Sequence, residues 1–258
     1  MTPTIPDLKG KAVLMTGAST GIGAAAARAF GRNGAKVAVN YNASKDQAEK
    51  VVADIREAGG EAILIQADVT RPESADTVTA AAVEAFGRLD ILVNNAGALI
   101  KRTPIADYTD AYLDAVLDLN VRSVVHFVRA AAVQMRKQGG GGSIINVSSI
   151  AARHGGGPGS VIYAAAKGFV STATRGWAKE LVKDRIRVNA IAPGVIMTPF
   201  HERYSTAEQL AAMQATIPMD RLGTSEDCVG AFLYLASEGM SGYVTGQVLE
   251  VNGGQYMP

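Results

Sequence analysis

The chain has almost no cysteine: Cys228 stands alone among 258 residues. That excludes an internal disulfide framework and fits a reducing compartment, with the thiol serving as a small buried hydrophobe. An excess of charge of one sign is missing too, since 25 Lys plus Arg face 24 Asp plus Glu. No global field therefore draws the chain to nucleic acid or to an anionic membrane. No apolar run approaches the length of a bilayer span, and Met1-Thr2-Pro3-Thr4 lacks the regions of a signal peptide. The expectation is a soluble, cytoplasmic protein. Histidine is scarce: His126, His154 and His201 lie scattered without ligand spacing, so no metal is expected.

What the sequence has is apolar residues, at 48%, and 28 glycines. Short apolar runs read as buried strands at Lys11–Thr16, Lys36–Tyr41, Ala62–Ala67, Leu89–Val93, Ser143–Val147, Arg187–Ile191 and Val248–Val251. Between them lie helical stretches at Ala24–Arg32, Ser44–Ala58, Pro72–Phe86, Thr109–Gln138 and from Val161 onward, with Pro72 at a first helical position. Strand and helix alternate, with no linker, repeat or long low-complexity tract. The pattern predicts an α/β fold: one Rossmann-type doubly wound domain over 1–258, with a seven-stranded, mostly parallel sheet.

In such a sheet ligands bind beyond the carboxyl ends of the strands, and the unusual residues fall there. Thr16-Gly17-Ala-Ser19-Thr20-Gly21-Ile22-Gly23 follows the first strand and opens the first helix. Its glycines permit a tight turn and close approach to a pyrophosphate, whose charge suits a helix N-terminus. A plain glycine-rich turn is the alternative, and no Gly-Lys-Ser/Thr marks an ATP-binding loop. Asp68-Val69 ends the third strand, where a carboxylate can accept from an adenine amino group or cap a helix. Asn94-Asn95-Ala96-Gly97 ends the fourth with small residues that admit a ribose or adenine, or simply make a turn. Asn120 interrupts an otherwise apolar helical stretch, as a surface side chain or as one facing the site.

The sharpest signal is Tyr163-Ala-Ala-Ala-Lys167, reached from Ser149 through a glycine-rich segment. On a helix the phenol and the ammonium share one face, one turn apart. An ordinary surface pair has the same spacing. A cation about 4 Å away supplies on the order of 4 kcal/mol at an effective dielectric near 20. That would bring a tyrosine down roughly 3 units from its usual pKa of about 10. The expectation is a phenol poised for proton transfer near neutral pH.

Together, in this order, these motifs resemble the short-chain dehydrogenase/reductase family over essentially the whole chain, in its Thr-Gly-x-x-x-Gly-x-Gly and Tyr-x-x-x-Lys branch. Within it the chain is most similar to 3-oxoacyl-carrier-protein reductase-like and glucose-dehydrogenase-like members. The resemblance implies an NAD(P)-dependent oxidoreductase that moves a hydride between a nicotinamide and a small-molecule alcohol or carbonyl. Tyr163 is then the acid/base, and Ser149 positions the reacting oxygen, although its gap to Tyr163 is one residue longer than in many members. Lys167 lowers the tyrosine pKa and holds the nicotinamide ribose, while Asn120 anchors a proton-relaying water. Pro193, Gly194, Ile196 and Thr198 place the nicotinamide. A catalytically silent sensor or scaffold that binds the same cofactor is the alternative, opposed by the intact proton-transfer set. A sugar-nucleotide epimerase would need a larger substrate domain.

The second strand ends Asn40-Tyr41-Asn42 with no acid before Asp46, so nothing repels a 2′-phosphate. Asn42, Ser44 and Lys45 can donate to one. NADP is therefore expected to be preferred modestly, with NAD usable, and Asn40→Asp to reverse the choice. Pro199–Gly223, with its Phe200, Tyr204, Leu210, Met213, Ile217 and Met219, reads either as a substrate lid or as a satellite core cluster. The resemblance also implies a homotetramer built on Thr109–Gln138 and Val161–Val182, with Val251–Pro258 adding a second contact.

Overall fold

The computed structural model describes residues 5–258; Met1–Thr4, read above for a targeting signal, lie outside the described residues. Seven strands form one sheet: β1 Ala12–Met15, β2 Lys36–Tyr41, β3 Glu61–Gln66, β4 Ile91–Asn94, β5 Gly142–Val147, β6 Ile186–Pro193 and β7 Val248–Val251. Their order is β3-β2-β1-β4-β5-β6-β7, and every pairing is parallel. Alternation along β1 divides its side chains between two cores. Val13 and Met15 enter one cluster, Ala12 and Leu14 the other. Because both faces are covered, these strands are apolar on both sides, which is why they read as continuous runs.

Helix α1 (Gly21–Arg32) packs on one face beside α2 (Lys45–Glu57) and α10 (Ser225–Ala236). Its alanines at 24, 26, 27 and 29 are buried and let it lie close to the sheet. The other face carries α3 (Ser74–Phe86), α5 (Ser123–Gln138) and α7 (Val161–Leu181). The chain reverses winding between β1 and β4, which opens the crevice where such sheets bind ligands.

Three expectations need correction. Pro72 does not open a helix: it lies in a turn, and α3 begins at Ser74, whose hydroxyl donates to Asp68 O at 2.6 Å. The expected helix over Thr109–Gln138 is broken into α4 (Asp110–Leu117), a π turn at Asp118–Arg122, and α5. Asn120 accounts for the break. Its Nδ2 donates to Val116 O at 3.0 Å, using the carbonyl that a regular helix would offer to the Asn120 N–H. Finally, the apolar residues of Pro199–Gly223 do not form a satellite core. Helices α8 (Pro199–Tyr204) and α9 (Ala207–Gln214) bury no residue, and of the six apolar side chains only Ile217 is buried.

Candidate active site

The turn after β1 is held from beneath. The Thr16 hydroxyl accepts from Asn95 N at 3.0 Å and Ala96 N at 3.1 Å, while Asn95 Nδ2 donates to Gly17 O at 2.8 Å. Gly17 and Gly21 have φ of 60° and 54°, which favour glycine. A Cβ on Gly17 would stand 2.9 Å from Ala96 Cα. Thr20 caps α1 without a side-chain hydrogen bond, so the first-turn N–H groups of Gly21, Ile22 and Gly23 face outward beside half-buried Ser19. This uncapped, glycine-rich cradle fits a dinucleotide pyrophosphate.

Asn40 corrects an expectation. It is 1% exposed, accepts from Gly17 N at 3.3 Å and donates to Ile65 O and Ala67 O, both at 3.2 Å. It braces the turn and does not face a ribose. Tyr41 is buried as well, so Asn42 is the first exposed side chain after the strand. No hydrogen bond joins Asn42, Ser44 or Lys45 to the turn among the described residues, and Lys45 leans 3.6 Å from Glu49. Asp68 accepts from Thr70 N at 3.0 Å and Thr70 Oγ1 at 2.8 Å, both at Oδ1. It therefore organises a turn and leaves Oδ2 to a ligand, while the Val69 side chain is core. Asn94 is buried too and donates to Asn146 Oδ1 at 2.9 Å, away from the crevice.

Across the crevice four groups converge. Asn120 is fully buried and exchanges hydrogen bonds with Ala98, donating to its carbonyl at 2.9 Å and accepting from its N–H at 3.2 Å. Gly97 fits between this amide and Lys167: an added Cβ would meet Asn120 Oδ1 and Lys167 Nζ, each at 2.9 Å. Lys167 is 3% exposed and donates to Val147 O at 2.9 Å, and burial pulls its pKa down to about 8. The Ser149 hydroxyl is close enough to the Tyr163 phenol to hold its pKa down against burial, and it accepts from Ala151 N at 3.1 Å. Ser148 is spent elsewhere. Its hydroxyl donates to Lys167 O at 2.9 Å and lies 2.7 Å from Ser171 Oγ, which leaves Ser149 as the serine facing the phenol.

The expected low tyrosine pKa is not found. Burial pushes Tyr163 up to about 12, and the Ser149 bond offsets only part of that. The i to i+4 spacing does not make the ammonium a counter-charge for the phenol. Lys167 Nζ instead lies 5.7 Å from the ring centroid, drawn down by Val147 O.

At the end of β6, Pro193 O accepts from Ile150 N at 2.9 Å and so ties the Ser149 segment to the sheet. Gly194 passes close over Asn252, Ile196 is buried, and the Thr198 methyl lies against Gly21. The two ends of the crevice are thereby joined.

The family described as Enoyl-(Acyl carrier protein) reductase matches residues 17–255. L-rhamnose 1-dehydrogenase (NAD(P)(+)) of Sphingomonas sp. (strain SKA58) is 41% identical, covering 97% of this chain and 98% of its own. A 3-oxoacyl-[acyl-carrier-protein] reductase of Synechocystis sp. (strain ATCC 27184 / PCC 6803 / Kazusa) is 40% identical over 97% and 98%. A crystal structure of a short-chain type dehydrogenase/reductase from Mycobacterium marinum superposes with a TM-score of 0.93 at 36% identity, covering 98% of each chain. The chain belongs to the short-chain dehydrogenase/reductase family.

As a short-chain dehydrogenase/reductase it is an NAD(P)-dependent oxidoreductase acting on alcohol and carbonyl groups. No observation favours the silent sensor or scaffold. No helix among the described residues is long and apolar enough to cross a membrane, and none of their His, Cys, Asp and Glu groups could hold a metal ion. Four residues outside the expected site set shape this short-chain dehydrogenase/reductase's site. Thr16 and Asn40 brace the turn, Ser148 fixes the helix under Lys167, and Phe200 lies 5.7 Å from the Tyr163 ring. Thr16 was legible as the first residue of the glycine motif, Asn40 at the end of the second strand and Phe200 as an apolar residue of the lid stretch, but their bracing and packing roles needed the fold. A cleft of about 520 Å³ borders Ser19–Gly21 but runs along α1 between α2 and α8, so the crevice over the strand ends is the better site.

Proposed function

We propose that Tyr163 moves the proton in an alcohol/carbonyl interconversion, with Ser149 holding the reacting oxygen and Lys167 and Asn120 completing the site. The observation that carries this reading is the convergence of the Ser149 and Tyr163 hydroxyls beside the Gly97–Asn120–Lys167 cluster. When bound, the nicotinamide cofactor supplies or takes the hydride. With its pKa near 12, Tyr163 holds its proton at neutral pH and is ready to give it to a carbonyl oxygen. Ser149, oriented by the Ala151 N–H, donates to that same oxygen as negative charge builds. Lys167 would hold the nicotinamide ribose with the N–H groups that Val147 does not use. Gly17–Gly23 would hold the pyrophosphate, and Asp68 with Asn95–Gly97 the adenosine side. Pro193, Gly194, Ile196 and Thr198 would seat the nicotinamide.

Tyr163→Phe should lose about 10²- to 10⁴-fold in kcat with little change in cofactor affinity. A mutant that keeps half its turnover would sink the assignment.

NADP(H) is the preferred cofactor in this reading, by about ten- to a hundredfold in kcat/KM, where each tenfold corresponds to ~1.4 kcal/mol. Support comes from the exposed Asn42 and Lys45 and the absence of an acid at the β2 end. The acid that narrows the preference belongs at Asn42, so Asn42→Asp is the variant to compare. A clear NAD(H) preference in the unmodified enzyme, at one fixed salt concentration, would defeat this part. Residues 199–223 form a substrate lid, supported by helices without buried anchors and by Phe200 over Tyr163. The enzyme works in the cytoplasm as a homotetramer, supported by Val133, Val161, Phe169 and Val182, which are exposed on and beside α5 and α7.

A further inference from the structure

Arg102 is a half-buried cation outside the catalytic cluster. It leaves the β4–α4 loop just after Ile100, whose φ of 66° is strained for a β-branched residue. Such strain persists where surrounding contacts fix it, and it collects at functional sites. The contacts here are specific. Arg102 Nε donates to Tyr204 O in α8 at 2.9 Å, and Nη1 donates to Pro158 O at 3.0 Å. Next door, Thr103 N donates to Gly159 O at 2.9 Å, and a Cβ on Gly159 would meet Thr103 N at 3.0 Å. One guanidinium thus ties together the loop after Gly97, the loop before Tyr163 and the first helix of the lid.

Its charge is uncompensated. Eight other arginines among the described residues pair with Asp or Glu within 4.0 Å. Arg102, half-buried, has no such partner among them and bonds only to neutral carbonyls. His201 lies near enough for burial and the Arg102 charge to lower its pKa, which keeps it neutral and adds no anion. The ring of Tyr204 contacts Phe200 at 5.1 Å, and Phe200 contacts Tyr163 at 5.7 Å. Tyr204, whose carbonyl Arg102 holds, therefore stands two ring contacts from the phenol, along an aromatic wall.

We propose that Arg102 is a specificity-determining residue, whose remaining N–H groups bind an anionic group on the substrate, several bonds from the reacting carbonyl. The planar fork of a guanidinium suits the paired oxygens of a carboxylate or phosphate. An anion there supplies the counter-charge that the fold withholds, and the same side chain closes α8 over the bound substrate. The inference rests on the oxidoreductase reading above.

The test compares 4-oxopentanoate with its methyl ester, which share the reacting carbonyl and differ in charge. The wild-type enzyme should favour the acid by about ten- to a hundredfold in kcat/KM, the range of a charge-assisted hydrogen bond. Arg102→Gln should bring the ratio near one through the KM of the acid, leave the cofactor KM unchanged, and be partly rescued by Arg102→Lys. Equal use of acid and ester by the wild type, or equal losses for both in Arg102→Gln, would overturn the proposal and leave a lid contact only. Thermal unfolding read separately with succinate, its dimethyl ester and inorganic phosphate is independent of turnover and distinguishes carboxylate from phosphate. An anion-specific rise in Tm, lost in Arg102→Gln, supports the site, and no rise in the wild type overturns it. Cofactor-linked turnover with no carbonyl at all would sink the parent reading instead.

Discussion

At the scale of single residues, burial sets the charges of the site. Lys167 has a folded pKa of about 8 against an ordinary 10.5, so between those values the unfolded chain binds more protons. Its contribution to stability therefore rises with pH through that window. Tyr163 has the opposite sign: its folded pKa of about 12 lies above the ordinary 10.0, so stability falls with pH between those values. Urea unfolding of Lys167→Met should show a shallower rise in stability from pH 8 to pH 10 than the wild type. Parallel curves would mean that Lys167 is not the titrating group. Gly97→Ala tests the crowding above it, since the new Cβ would meet both Asn120 Oδ1 and Lys167 Nζ at 2.9 Å. The variant should fold, at an overpacking cost of about 1–3 kcal/mol, and lose most of its turnover. Full activity would show that the cluster can shift without consequence. The Tyr-x-x-x-Lys spacing was legible in the sequence. The tyrosine pKa was not, because it depends on how deeply the folded chain buries the phenol.

At the scale of elements, the sequence located helices better than it located their interruptions. The π turn at Asp118–Arg122 follows from one asparagine that satisfies Ala98 and Val116 at once. Asn120→Ala should cost about 1–3 kcal/mol, because it strips partners from buried backbone groups. Chemical denaturation of the variant measures this directly. A change within error of zero would mean that the π turn stands without the side chain. Helix α10 has a full capping box, with Thr224 accepting from Asp227 N and the Asp227 carboxylate accepting from Thr224 N. Arg221 holds that carboxylate from the other side at 2.7 and 2.8 Å, and its bonds keep the Asp227 pKa well below the usual carboxylate range. Thr224→Ala should therefore lower stability by about 1 kcal/mol.

At the scale of the whole molecule, assembly and lid motion are the open predictions. Val133, at 60% exposed, lies on α5, and Val161, at 54%, and Phe169, at 42%, lie on α7. Light scattering at micromolar concentration should report a tetramer, and a stable monomer would rule the assembly out. Hydrogen exchange across 199–223 should slow when cofactor and substrate bind together, and less so in Arg102→Gln. Unchanged exchange in the ternary complex would count against a lid.

The sequence by itself determined the alternation of strand and helix, the parallel sheet and the identity of most crevice residues. Those features are written in local period, in glycine and in short motifs, and each needs only its neighbours along the chain. Tertiary structure alone decided the rest. Asn40 and Asn42 are two residues apart and equally polar, yet one is sealed beneath a turn and the other is open to solvent. Ser148 and Ser149 are adjacent and chemically alike, yet one locks a helix and the other meets the phenol. Arg102 has no motif, and its position shows only where two loops and a helix close on one guanidinium. Contacts across distant segments set these outcomes, and no local pattern encodes which side chain will find which partner.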